Sequence, residues 1–122
     1  MKLSATLIAC ATLAMAGPAL AEGVCTRPTA PTVVDGATAP LEQLVKSKNE
    51  VAAFIAASDT FQTCVLEDLA AQRATAKAAK TKVDPAIVTA AEAQISANQA
   101  DKESAGAAFN AAAKAYKAAH PA

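Results

Sequence analysis

The stretch TKVDPAIV, residues 81–88, holds the elements needed to separate two helices. The Asp84 carboxylate is placed to cap a helix, Pro85 fits the first helical position, and Val83 can staple onto Val88. A turn is predicted here, with a helix starting at Pro85.

Upstream, from Leu41 to Lys82, there is neither Gly nor Pro, and Ala, Leu, Glu, Lys and Gln dominate. These are strong helix formers, so a first helix is predicted over about 41–81. Its larger apolar residues, including Leu44, Val51, Phe54, Phe61, Val65 and Leu69, recur at three, four and seven, which marks one buried stripe. Ser58-Asp59-Thr60 is the alternative boundary, since such residues cap helices and would split this one. Downstream, Val88, Ile95, Lys102, Phe109 and Tyr116 share one heptad position and Ala91, Asn98, Ala105 and Ala112 its companion. The second helix is predicted over about 85–119, ending before Pro121.

Two long helices joined by a few residues lie antiparallel, so the predicted fold class is all-α, a coiled-coil-like two-helix hairpin over 41–120. With the turn centred near residues 83 and 84, facing residues should sum to about 167. That register sets Phe61 against Gly106, Val51 against Tyr116 and Val65 against Lys102. A large residue facing a small one would explain a mid-helix glycine, and Gly106→Leu should then destabilise.

Ahead of the hairpin, residues 22–40 (EGVCTRPTAPTVVDGATAP) place Pro28, Pro31 and Pro40 around an Asp35-Gly36 turn signal. Helix is excluded there, and an extended, partly polyproline-like arm is expected. Residues 1–21, with Lys2, an apolar run and the ending Ala19-Leu20-Ala21, read as a secretory signal peptide cut after Ala21. The alternative is a lipoprotein cleaved at Leu7-Ile8-Ala9-Cys10, but only about six residues separate Lys2 from that cut, short for an apolar segment. The expected location is therefore periplasmic or secreted.

Loss of the leader removes Cys10 and leaves Cys25 and Cys64, which an oxidising compartment should pair. From Pro40 to Cys64 a helix advances about 36 Å, and an extended arm from Pro40 back to Cys25 spans up to about 46 Å, so the bond is reachable within one chain. Closing a loop of about 40 residues should contribute about 4 kcal/mol to a hairpin whose core is thin. Val33 and Val34 would then lie in the groove between the helices. An intermolecular disulfide, or a homodimer forming a four-helix bundle, is the competing arrangement.

The arm pattern Cys25-Thr26-Arg27-Pro28, Pro31 and Asp35-Gly36-Ala37, followed by Cys64 in the first helix, Asn98-Gln99-Ala100-Asp101-Lys102, Phe109-Asn110 and Tyr116-Lys117, resembles an uncharacterised group of small, exported, alanine-rich helical proteins of Gram-negative bacteria. The resemblance covers nearly the whole mature chain and implies no activity and no functional residue. Position 40, where a Ser or Thr helix cap is expected, holds Pro40, so the first helix is expected to lack that cap. The alanine repeats are also similar in composition to murein-lipoprotein helices.

The mature chain has ten Lys or Arg against eleven Asp or Glu, so no global field draws it to nucleic acid or anionic lipid, and only local patches are left to do so. No nucleophile with a base, no phosphate loop and no metal-ligand spacing is present, so no catalytic residue, metal or cofactor is assigned. The sole histidine, His120, is read as a bystander at a fraying terminus. Candidate interaction residues are Arg73, Lys77, Lys80 and Lys82, a basic stripe at the hairpin tip spaced to share one helix face, and the polar pair Asn98 and Lys102 on the inner face. The stripe is open to an envelope protein or an anionic lipid, or it simply complements a helix C-terminus. Asn98 is the kind of lone polar group that fixes register. The expected role is a non-catalytic structural or interaction module. A small envelope binding protein or holdase using the groove or the basic tip is the alternative, and a lipid-anchored envelope protein the second.

Overall fold

The computed structural model describes residues 25–122, so the expected leader, the expected cut after Ala21, and Cys10 lie outside the described residues. The chain folds as two helices, α1 (Leu41–Ala78) and α2 (Pro85–Ala119), packed antiparallel along their length, with no strand among the described residues. At about 1.5 Å per residue the 38 residues of α1 make a rod of about 57 Å.

The start of α2 follows the local chemistry. Asp84 Oδ1 accepts from the Ala86 N–H at 2.8 Å, and Pro85 occupies the first helical position. α1 starts without a side-chain cap, because Pro40 has none to offer. It ends at Ala78, three residues before the expected boundary. The Thr81 N–H donates to the Ala76 carbonyl at 2.8 Å and the Lys80 N–H to that of Lys77 at 3.0 Å, the two bonds of a Schellman cap. Lys80 sits at the left-handed position of that cap, with φ of 57°.

α1 runs unbroken through Ser58-Asp59-Thr60. Each of the three side chains suited to capping a new helix is engaged elsewhere. Ser58 Oγ accepts from Asn98, Asp59 pairs with Lys102, and Thr60 Oγ1 donates back to the Ala56 carbonyl at 3.2 Å.

The buried residues of α1 fall on two heptad rows, Leu44-Val51-Ser58-Val65 and Ser47-Phe54-Phe61, with Leu69 beyond them. Those of α2 are Ala91, Asn98, Ala105 and Ala112, one row of small residues that lets the helices approach. Two apolar clusters result. One joins Phe61, Val65, Leu69 and Ala91, and the other joins Val51, Phe54 and Ala105.

The register differs from the expected one. Gln62 bonds Asn98 and Gln99, and Asp59 bonds Lys102, so facing residues sum to about 160, one heptad less than 167. A seven-residue slip keeps every apolar residue on its stripe and changes only the partners. Lys102 therefore faces Asp59 rather than Val65, and Gly106 does not oppose Phe61. A Cβ built on Gly106 meets nothing within 4 Å, which overturns the expected penalty for a side chain there.

The arm packs back over both helices. Cys25 is bonded to Cys64 with a Cα–Cα distance of 5.8 Å, and Arg27 pairs with Asp101 at 2.5 Å. Val33 packs against the Val51, Phe54 and Ala105 cluster, and the Val34 N–H donates to Ser47 Oγ at 3.3 Å. The Asp35 carboxylate accepts from the Ala37 N–H at 3.0 Å and from Thr38 Oγ1, which closes the turn that leads into α1.

Candidate interaction site

Two groups of residues stand out for what they can contact: a polar band at mid-hairpin and a cationic tip at the closed end. The band comes from α1 positions 58, 59 and 62 and α2 positions 98, 99, 102 and 103. Asn98 is fully buried; its Nδ2 donates to Ser58 Oγ at 3.1 Å, and its Oδ1 accepts from Gln62 Nε2 at 2.9 Å. Gln62 Nε2 also reaches Gln99 Oε1 at 3.3 Å, and Gln99 donates onward to Glu103 at 3.1 Å. No buried side-chain polar atom among the described residues lacks a partner. The buried part of the band is thus satisfied internally and separates the two apolar clusters, while Asp59, Gln99 and Glu103 at its edge are exposed.

Lys102 lies mostly covered, with its side chain 17% exposed, and its Nζ pairs with Asp59 on the facing helix. It does not run out along the seam as a free cation. The candidate pair Asn98 and Lys102 therefore comes together in one band and serves the contact between α1 and α2.

The four cations of the basic stripe do not share one helix face. Arg73 and Lys77 are exposed on the last two turns of α1, while Lys80 lies in its cap and Lys82 in the connection to Asp84. The early end of α1 at Ala78 moves Lys80 and Lys82 off the helix. None of the four is in an ion pair with a described residue, in contrast to Arg27, Lys46 and Lys102.

The disulfide residues are both half-buried, and Cys25 packs onto the Phe61, Val65 and Leu69 cluster. His120 is tied down: its N–H and ring Nδ1 both lie 3.0 Å from the Tyr116 carbonyl, and its ring stacks on Tyr116 at 4.1 Å. Among the described residues no group of three His, Cys, Asp or Glu is placed to hold a metal, and no helix is long and apolar enough to cross a membrane. A shallow depression along Glu92, Ile95, Ser96, Gln99, Ala100 and Glu103 is lined by α2 alone.

Three contacts escaped the sequence reading. Ser58 was readable as the partner of Asn98, since it interrupts the Leu44-Val51-Val65 row just as Asn98 interrupts its alanine row. The Arg27–Asp101 pair carried no local signal. Gly36 lies in the expected turn, but its φ is not positive, and a Cβ there would lie 1.7 Å from the Ala112 carbonyl oxygen. Close approach of two backbones is what requires glycine at this position.

No family model, curated protein or solved structure matches the chain.

Proposed function

We propose that the chain is an exported, non-catalytic structural or interaction module of the periplasm, a helical rod locked by its own N-terminal arm. The observation that carries this reading is the Cys25–Cys64 bond, which closes 39 residues and clamps the arm across both helices. A covalent clamp of this kind is compatible with an oxidising compartment and with the leader expected in residues 1–21.

The binding-protein alternative loses part of its ground. Val33 already covers the Val51, Phe54 and Ala105 cluster and Gly36 lies against the Ala112 backbone, so a client there would have to displace a tethered segment. The lipid-anchored alternative differs only in the site of cleavage.

The test is the intact mass of the native protein from cell envelopes, taken without reductant after alkylation of free thiols. A chain starting at Glu22 with both thiols blocked by one another is the expected result. An acylated start at Cys10, or a disulfide adduct with another protein, would replace this reading with an anchored or covalently partnered one. Suppression of aggregation of an unfolded client by the oxidised chain would revive the holdase.

A further inference from the structure

We propose that the closed end of the hairpin is a docking surface for an anionic phospholipid bilayer, made by Arg73, Lys77, Lys80 and Lys82. The inference rests on the interaction-module reading and names its partner. Residues 73–84 carry these four cations against the single carboxylate of Asp84, which is engaged with the Ala86 N–H. The open end is more balanced, with Lys46, Lys48, Lys114 and Lys117 against Asp35, Glu42 and Glu50, and Lys46 already paired with Glu50.

Complementing the dipole of α1 accounts for Lys77, which stands in its last turn. It also favours the charge of Lys80 just past that end, though not a side chain at that backbone position, and it does not account for Lys82. Lys80 occupies the left-handed cap position, where glycine is the favoured residue and a side chain carries a conformational cost. Lys82 precedes the N-cap of α2, the end of a helix at which the dipole disfavours a cation. Two cations thus stand where the fold itself favours something else, and both add to the same patch.

The patch fits an extended charged surface better than a small anion. Its members are spread over two helical turns and a connection instead of converging on one point. The nearest acidic cluster on α1, Glu67 and Asp68, is about 18 Å from Lys80 along the axis. That exceeds the screening length of about 8 Å at physiological salt, so a surface touching the tip meets Lys80 and Lys82 clear of the acidic middle, while Arg73, five residues or about 8 Å from Asp68, is the member that the middle partly offsets.

The experiment uses the oxidised mature chain and phosphatidylcholine vesicles with and without phosphatidylglycerol, in a sedimentation assay at low and physiological salt. Binding is expected to the anionic vesicles alone and to weaken with salt. Each basic residue at such a surface is worth about fivefold in partitioning. Lys80→Gly should therefore bind about fivefold more weakly while melting at a higher temperature, since glycine suits the cap; lost binding cannot then be blamed on a damaged fold. Lys77→Gln/Lys80→Gly/Lys82→Gln should lose about a hundredfold, and Lys46→Gln/Lys48→Gln/Lys114→Gln, with the same change in net charge, should bind as the parent does.

Absence of binding by the parent, unchanged binding by Lys80→Gly, or equal loss in both triple variants would overturn the proposal. So would inorganic phosphate abolishing binding at matched ionic strength, which would mark a small-anion site, or tighter binding to a DNA duplex than to the vesicles. The intact-mass measurement reads export separately, so failure at the vesicle and failure of the exported-module reading remain distinguishable.

Discussion

Gly36 and Gly106 are chemically identical and structurally opposite. At Gly36 an added Cβ would fall 1.7 Å from the carbonyl oxygen and 2.5 Å from the carbonyl carbon of Ala112, both backbone atoms that cannot rotate away. Gly36→Ala should cost about 1 to 3 kcal/mol, the range for forced overpacking, read as a lower denaturant midpoint. At Gly106 there is open space and an ordinary helical backbone, so only the entropy of glycine matters. Gly106→Ala should stabilise by about 1 kcal/mol and raise the melting temperature by several degrees. Neither outcome was legible in the sequence, where Gly36 belongs to a turn signal and Gly106 to a seam. Contact between two backbones leaves no trace in the residue types on either side.

At the scale of the helices, the turn at residues 81–88 and both heptad rows were legible because capping and periodicity are local properties. Register was not, because a heptad pattern is unchanged by a slip of seven residues. What selects among such slips is the pairing of the two polar interruptions, Ser58 in α1 and Asn98 in α2. In the register with sum about 167, Asn98 would face an apolar row and Ser58 would face another, and each would be buried without its partner at a cost of about 1 to 3 kcal/mol. The pair should therefore behave as a unit. Asn98→Ala should destabilise by about 2 kcal/mol, and the double variant Ser58→Ala/Asn98→Ala by less than the two single changes together, with a coupling of about 1 kcal/mol in a double-mutant cycle. Strict additivity would show that the bond does not hold the register. The same pairing explains why Ser58-Asp59-Thr60 fails to break α1: side chains engaged across the interface or with their own helix are no longer free to cap.

The whole molecule is a thin structure, since the buried row of α2 consists of three alanines and an asparagine, and much of its cohesion depends on the arm. The arm is fixed covalently at Cys25 and sterically at Gly36, with Val33 between them. Its course was readable in outline, because two cysteines and the reach of an extended chain limit where it can go. Removing the bond with Cys25→Ser/Cys64→Ser should lower stability by about 4 kcal/mol, the chain-entropy value for a loop of this size, measured by urea unfolding. The two attachments should also be coupled. In the oxidised chain a Gly36→Ala arm cannot leave the hairpin, so the clash must be absorbed by shifting α2 or bending the tethered segment. In the cysteine-free chain the arm can lift away, and the penalty is then limited to the contacts of Val33 that are lost with it. Gly36→Ala should consequently cost less in the cysteine-free background than in the oxidised one. Equal costs in the two backgrounds would mean that the arm stays seated without its disulfide, and that the hairpin groove, rather than the covalent bond, is what holds it.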